Sequence, residues 1–526
     1  MSNIEAELKL RLADPTCLNN LLMAPWLNEL STQPPYKQTL ETTYYDTADQ
    51  RLLKSRLSYR LRLADGKWTA TVKADGTSDG GLHQRSEYNV PVASPLPSIE
   101  PFLTTDIGER LAEAVGNMSL EPIFSTRFDR HIMDIMTSDG SNIELALDDG
   151  DILAGNKQQK ILELELELKA GKPQSLVWLG AALAEQFPLL PEQDSKLYRA
   201  TLLAGLADGL AQDIPLPSPL TKASTTLPAY QVLSQIMIHT IHETVRAQQA
   251  HLTNPEDIET LHEFRIILRK LNALLQFSEP LIPADSYADW QDKLSNWGSR
   301  LGSIRDLDSF SLAWDQLTGY MTRVIPNYAG KPVLAALLAD KRTNAKTGFY
   351  TAVATGQLTP VLLGLWSFLQ NWSDNNTSDN QMILKKFAYP RFGYWLAQLL
   401  QQGNTLDLSD LDAVHELRVN GRRLRNTLEV LAPALPDSTQ LLIKRLEQLQ
   451  DLLGEIKDVT FTPSLLQELV KASASRLAHR DAGLITGWQL AKSAAAQAKW
   501  DKVWPKVNKA ANKQKKLKPL DDGLLP

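Results

Sequence analysis

Cysteine is nearly absent: the single Cys17 in 526 residues cannot form an internal disulfide, which points to a reducing compartment. Long apolar runs are missing too. Stretches such as Val361–Leu369 fall far short of the ~20 residues that span a bilayer. The opening Met1-Ser2-Asn3-Ile4-Glu5 has no basic region followed by an apolar stretch, so no secretory signal is expected. Positive charge is not in excess: 55 Lys and Arg against 61 Asp and Glu leave a net charge of −6, which argues against a general nucleic-acid coat. The expectation is a cytoplasmic protein with no membrane partner and no requirement for nucleic acid. The chain is too long for one core, so two or three domains are expected.

What is present falls into two patterns. Up to about residue 170, polar and apolar residues alternate, which predicts strands at Ile4–Leu12, Thr39–Asp46, Leu57–Leu63, Trp68–Ala74, His83–Val92, Ile123–Ile135, Asn142–Asp148 and Lys160–Lys169. About eight strands are enough to close an antiparallel barrel or tunnel. Turns are expected at Asp65-Gly66, Asp79-Gly80-Gly81, Asp139-Gly140 and Asp149-Gly150, and short helices at Pro15–Leu22, Ile107–Val115 and Pro173–Glu185. The Pro-, Ser- and Thr-rich stretch Asp213–Pro228 reads as a linker.

Beyond Pro228 the period becomes helical and the sequence repeats. His262-Glu263-Phe264-Arg265 recurs as His415-Glu416-Leu417-Arg418, and Leu301-Gly302-Ser303-Ile304-Arg305-Asp306 as Leu453-Gly454-Glu455-Ile456-Lys457-Asp458, both at an offset of about 152. Two anchors at one offset indicate a duplicated helical unit. The segment Lys502–Lys518 is lysine-rich and reads as a fraying terminal helix with a solvated tail. The expected fold class is a two-domain α+β protein: an eight-stranded antiparallel β tunnel at 1–205, a linker at 206–228, an all-α duplicated bundle at 229–500 and a tail at 501–526.

The strands carry charge on one face each. Glu5, Glu7 and Lys9 share a face, as do Glu163, Glu165, Glu167 and Lys169, while Ile, Ala and Leu occupy the other side. Arg60 and Arg62 share a face, Lys73 follows Thr69 and Thr71, Arg85 pairs with Glu87, and Glu144 with Asp148. Such faces are either the wet outside of an ordinary sheet or the lining of a closed barrel, and alternation alone does not say which side is inside. Acids cluster on the outer strands of this series and arginines on those between. Carboxylates suit Mg²⁺ or Mn²⁺, arginine forks suit phosphate, and the pair is the inventory of metal-assisted phosphoanhydride chemistry.

Glu5-x-Glu7-x-Lys9 resembles the signature of the CYTH superfamily, the triphosphate tunnel metalloenzymes. Arg60-x-Arg62, Lys73, Gln84-Arg85-Ser86-Glu87, Arg130, Ile143–Asp148, Glu163–Lys169 and Ser195-Lys196-Leu197-Tyr198-Arg199 extend the likeness over about residues 1–205. The resemblance implies a tunnel that holds a triphosphate and needs divalent metal, Mg²⁺ or Mn²⁺. It assigns Lys9, Arg60, Arg62, Lys73, Arg85, Glu87, Arg130, Lys196 and Arg199 to the substrate, and Glu5, Glu7, Asp148, Glu163, Glu165 and Glu167 to metal. Catalysis would center on Glu5, Glu7, Lys9, Arg60 and Arg62. Many relatives carry a Lys-x-Arg pair on the sixth strand, whereas this chain offers Arg127 and Arg130, and either is eligible to enter the tunnel.

In the helical half, His262, Arg265 and Arg269 fall on one helix face, as do His415, Arg418, Arg422 and Arg425, with an apolar seam beside each. These residues resemble the CHAD domain over about 229–500, which implies a basic groove for inorganic polyphosphate. His262, Arg265, Arg269, Lys270, Arg305, His415, Arg418, Arg422, Arg423, Arg425 and Lys457 would form it. The expected activity is hydrolysis of tripolyphosphate to pyrophosphate and phosphate, as in bacterial inorganic triphosphatases. The alternatives are a class IV-type adenylate cyclase or thiamine triphosphatase, and a non-catalytic polyphosphate-binding scaffold. Oligomeric state is not legible.

Overall fold

The computed structural model describes residues 4–206, 218–325, 332–375, 382–471, 475–514 and 516–517. The expected linker and the lysine-rich C-terminal segment lie partly outside the described residues. The chain divides into two compact units, the first comprising Met1–Ser218, Ile241–Gln249 and Ala352–Asn371, the second Pro219–Thr240, Ala250–Thr351 and Trp372–Pro526.

The first unit holds strands β1 (Ile4–Leu12), β2 (Tyr36–Asp46), β3 (Leu57–Ala64), β4 (Lys67–Asp79), β5 (Leu82–Val92), β6 (Glu121–Met136), β7 (Asn142–Ala154), β8 (Lys157–Ala170) and β9 (Leu189–Pro191), with helices α1 (Cys17–Leu22), α2 (Pro25–Leu30), α3 (Arg51–Lys54), α4 (Gly108–Val115), α5 (Gln174–Gln186) and α6 (Lys196–Ala204). The sheet is antiparallel in the order β5-β4-β3-β2-β6-β7-β8-β1-β9. β1 also pairs with β5, Glu5 opposite Arg85, which closes the first eight strands into a barrel without free edges.

The helices around the barrel decide which strand faces point inward. Tyr59, Leu61, Ala70 and Val72 of β3 and β4 pack with Leu111 and Val115 of α4. Leu8 and Leu10 of β1 lie against α5, where Gly180 admits the Leu8 methyl; a Cβ there would stand 2.5 Å from it. The apolar faces are therefore covered on the outside, and alternation turns Glu7, Lys9, Arg60 and Arg62 into the interior. At one end the inner face becomes apolar: Tyr44, Phe124, Phe128, Ile152 and Ile161 pack with Ala200 and Leu203 of α6.

Two expected turns occur as two-residue hairpins, at Asp65-Gly66 and Gly80-Gly81, all four residues having positive φ. Asp149-Gly150 is not a turn. It lies within β7, where a Cβ on Gly150 would stand 2.3 Å from Phe128, so glycine serves close strand approach. The chain reverses one strand-end later, at Gly155-Asn156.

The helical elements that follow are α7 (Ala229–Thr253), α8 (Ile258–Ser278), α9 (Ala284–Val324), α10 (Pro332–Ala354), α11 (Thr359–Asn375), α12 (Leu384–Asn404), α13 (Leu411–Leu431), α14 (Thr439–Lys471), α15 (Arg476–Gln497) and α16 (Trp500–Asn512). The duplication is visible in α8–α9 and α13–α14. Asp257 and Asp410 cap α8 and α13 by accepting backbone N–H bonds. The seams Phe264-Leu268-Leu271-Leu275 and Val414-Leu417-Leu424-Leu428 are buried. Helix α16 does not fray. Trp504, Val507, Ala510 and Ala511 are buried, Trp504 fills the space Gly403 leaves, and its Nε1 donates to Asn404 Oδ1 at 3.0 Å. Among the described residues no single helix is long and apolar enough to cross a bilayer; the bent pair Leu334–Ala354 and Thr359–Trp372 passes only jointly, across a 52° bend.

Candidate functional site

The barrel interior encloses a cavity of about 340 Å³ lined by Glu5, Glu7, Lys9, Arg60, Arg62, Lys73, Arg85, Glu87, Arg130, Glu165, Glu167 and Lys196. Its charges form two clusters. In one, Lys73 Nζ lies 2.6 Å from Glu5 and 2.9 Å from Glu87, and Arg60 lies 3.1 Å from Glu87. In the other, Lys9 bridges Glu7 (3.1 Å) and Glu165 (2.9 Å). Arg130 binds Asp148 through two bonds of 2.7 Å and also reaches Glu165. Lys196 stands among Asp148 (2.7 Å), Glu165 (2.8 Å) and Glu163. Arg199 holds Glu163 from α6. Asp148, Glu163 and Arg199 do not line the cavity and are joined to its wall through these partners.

Burial alone would neutralise these groups, and mutual pairing prevents it. Against burial, Lys196, Lys9 and Arg130 hold Glu165 well below the usual carboxylate range. Lys196 and Arg130 are raised in turn by the carboxylates around them. Glu167, raised by burial in spite of Lys169, departs from this balance, and so do Glu5 and Arg62. Burial pushes Glu5 up to about 7 in spite of Lys73. Arg62 is brought down to about 10 by burial, Arg60 and Arg130; its Nε donates to Thr42 Oγ1 at 3.1 Å, and among the described residues no ion pair reaches it.

Asp148, Glu163 and Glu165 each offer a carboxylate oxygen, all within 4.8 Å of one another. Three hard oxygen donors at that spacing fit Mg²⁺ or Mn²⁺, and Lys196 would have to leave for a cation to enter. Glu5 and Glu7 lie outside this trio. So does Glu167, which pairs with Lys169 at 2.8 Å. On β6 the choice is plain: Arg130 turns inward, and Arg127, its side chain 70% exposed, pairs with Glu41 outside. Tyr44 was not anticipated as a lining residue. Its phenol is drawn below its ordinary pKa by Arg60 and Arg62 although burial opposes. Alternation from Thr42 would have placed it inward.

In the second unit, a cavity of about 310 Å³ is lined by Arg269, Arg305, Arg418, Arg422, Arg425 and Lys457, with Asp306, Asp451 and Glu455 also in its walls. Arg265 lies beside it, 4% exposed, its Nη2 3.2 Å from His262 Nδ1. Burial and neighbouring arginines lower Arg265 to about 10 and Arg269 and Arg422 to about 9. His262 and His415 are lowered by burial and the same bases. His262, His415, Arg423 and Lys270 do not line this cavity. A residue adjacent in a helix points ~100° away, so Arg418, Arg422 and Arg425 share a face that Arg423 leaves. Arg423 instead lies 4.2 Å over the Trp395 ring in a separate cavity with Tyr287 and Arg391.

Two family models match the chain: the CYTH domain over residues 3–200 and the CHAD domain over residues 236–467. An inorganic triphosphatase of Haemophilus influenzae is 35% identical over 171 residues, which is 31% of this chain and 46% of that protein, so the match spans less than half of the relative's length. Among solved structures, HpAC1 from Hippeastrum, named as an adenylyl cyclase candidate with a dominant triphosphatase activity, is 19% identical with a TM-score of 0.30, covering 38% of this chain and 95% of that one. The CHAD domain from the plant Ricinus communis is 21% identical with a TM-score of 0.46, covering 56% and 96%. The chain carries a CYTH domain in its β-barrel part and a CHAD domain in its helical part.

Proposed function

We propose that this protein hydrolyses inorganic tripolyphosphate to pyrophosphate and phosphate inside the barrel, with Mg²⁺ or Mn²⁺, and that the helical arginine cavity binds longer polyphosphate. The observation that carries this reading is the joint lining of one enclosed cavity by carboxylates and by Lys9, Arg60, Arg62, Lys73, Arg85, Arg130 and Lys196. A pure anion receptor would not retain so many acids, because each buried carboxylate costs free energy. The H. influenzae triphosphatase supports the substrate class. Cys17, with no second cysteine to pair with, supports a reducing, cytoplasmic setting.

Asp148, Glu163 and Glu165 would hold the metal, Glu5, Glu7 and Glu167 lying on the same inner wall. A bound divalent ion supplies charge for the phosphoryl oxygens and lowers the pKa of a water. The protein's own part is electrostatic. Arg60, Arg62, Lys73, Arg85 and Arg130 orient the phosphate chain, and Lys9 and Lys196 offset charge building on the leaving pyrophosphate. A nucleotide substrate finds some support in Tyr36, Gln38 and Asn89, which line the same cavity and could face a base.

Purified protein offered tripolyphosphate, ATP, thiamine triphosphate and long polyphosphate, with and without metal, discriminates these readings. Phosphate and pyrophosphate from tripolyphosphate, only with metal, is the expected result. Cyclic AMP from ATP would move the assignment to a cyclase. Inactivity on all four with polyphosphate still bound would leave a scaffold. Glu7→Gln should abolish turnover and leave polyphosphate binding intact.

A further inference from the structure

His83 lies two residues before Arg85 on β5, so alternation puts both on the inner side of the barrel wall. The imidazole is fully buried. Its Nδ1 is 3.0 Å from Arg85 Nη2, and its Nε2 is 3.0 Å from the carbonyl oxygen of Glu192. A guanidinium can only donate and a carbonyl can only accept, so these partners specify one tautomer: Nδ1 bare, Nε2 protonated. Burial, together with Lys9 and Arg85, lowers the ring to about 3, consistent with a neutral imidazole. Protonating Nδ1 would break the bond to Arg85.

The Glu192 side of the contact is also tied down. Ser78 Oγ donates to the Gln193 carbonyl at 3.1 Å, and Asp194 N–H donates to Glu192 Oε1 at 3.0 Å. Ser195 follows as the cap of α6, its Oγ accepting from Tyr198 N–H, and Lys196 is the first residue of that helix. One imidazole thus touches a cavity-lining base on β5 and the segment that delivers the next base, Lys196.

We propose that His83 is a positioning residue: its Nδ1 fixes the direction of the Arg85 guanidinium, and the Nε2 bond to the Glu192 carbonyl holds the ring in the tautomer that leaves Nδ1 an acceptor. The proposal rests on the reading of the barrel as a triphosphate site. It assigns His83 no proton transfer and no contact with substrate.

Two substitutions separate the two bonds. His83→Gln can still donate toward the Glu192 carbonyl but loses the acceptor at the Nδ1 position. His83→Asn keeps an acceptor there and loses the Glu192 contact. Losing a hydrogen bond to a charged group should raise KM for tripolyphosphate about tenfold in His83→Gln, with kcat changed by less than about threefold, and His83→Asn should recover most of the loss. In an Arg85→Gln chain, His83→Gln should add less than about twofold, because the base it orients is gone. An equal effect in both backgrounds, or no recovery with Asn, would overturn the proposal. If His83→Gln does not fold, His83→Asn carries the test: Arg85→Gln must cost as much in that background as in the native one, and a smaller cost refutes the assignment. If the native chain turns over no triphosphate, the functional reading fails by itself. The same cycle is then read by calorimetry of tripolyphosphate binding in an Arg269→Gln/Arg422→Gln chain, which silences the helical cavity.

Discussion

Lys196 in the barrel stands among three carboxylates, whereas Arg269 and Arg422 in the helical cavity have no ion pair among the described residues. Both cavities are walled by bases, yet the pKa values of those bases are displaced in opposite directions. Lys9, Arg130, Lys196 and Arg199 are raised by the acids they hold, while Arg265, Arg269 and Arg422 are lowered by burial and by one another. A phosphate entering the barrel must take bases away from carboxylates, so it gains little until a cation takes those carboxylates over. A polyanion entering the helical cavity relieves repulsion already present and needs no such exchange. Arg62 is the exception that fits the rule: lowered to about 10 and with no ion pair among the described residues, it can meet an anion without leaving a carboxylate.

The largest expected effect breaks the barrel side of this contrast. Glu165 accepts from Lys9, Arg130 and Lys196, so Glu165→Gln removes the charge these bases share and one proposed metal ligand. Tripolyphosphate turnover should fall roughly 100-fold or more, while long-chain polyphosphate binding stays within about twofold. Phosphate release and calorimetry check the two halves; a parallel loss of both would mean that the cavities are not independent.

Stability should separate the two next. Asp148 is fully buried between Arg130 and Lys196, and Asp148→Asn takes one carboxylate from two buried cations that keep Glu165 and, for Lys196, Glu163, at a cost of about 1–3 kcal/mol. Arg422→Gln removes a base from a repelling cluster and should leave the urea midpoint unchanged or higher. The same variant should weaken polyphosphate binding about tenfold, in EDTA as well as in Mg²⁺. Destabilisation by Arg422→Gln comparable to that of Asp148→Asn would show that the helical arginines are compensated after all.

The period-two pattern made the eight barrel strands legible, because each strand alternates cleanly along its length. It could not say which face is inside, since Tyr59, Leu61 and Leu8 would have made an equally good interior. That choice is made by α4 and α5, which are remote in sequence from the faces they cover. Asp149-Gly150 carries a turn signal for a different physical reason, the approach of Phe128. Helix α6 was legible only as the motif Ser195–Arg199, though Ser195 is an ordinary N-cap. In the helical half, the adjacency of Arg422 and Arg423 hid the 100° that separates them, and i, i+4, i+7 spacing from Arg418 already distinguished the two. His83 escaped notice because its importance lies in a contact with the Glu192 backbone, which has no sequence signature.

The smallest expected effect tests the helical side through its histidines. His262 is lowered by burial and by Arg265, Arg305 and Arg269, and His415 by burial and by Lys457, Arg418 and Arg422, with Glu259 and Asp412 opposing in the two cases. Both rings therefore stay neutral in the folded chain at pH values where an unfolded chain, with a pKa of about 6.5, takes up protons. The contribution to stability is complete above pH ~6.5 and is lost as pH falls below it toward the folded values. Bound polyphosphate reverses the field, since it neutralises the bases that repel the imidazolium. Binding should then take up protons, and affinity should rise about two- to fivefold between pH 7 and pH 6. Calorimetry at pH 6 in two buffers of different ionisation enthalpy measures the uptake directly, and a His262→Asn/His415→Asn chain should show none. Proton release on binding, or an affinity indifferent to pH in the native chain, would mean that the phosphate sits away from both histidines and that the arginines alone form the site.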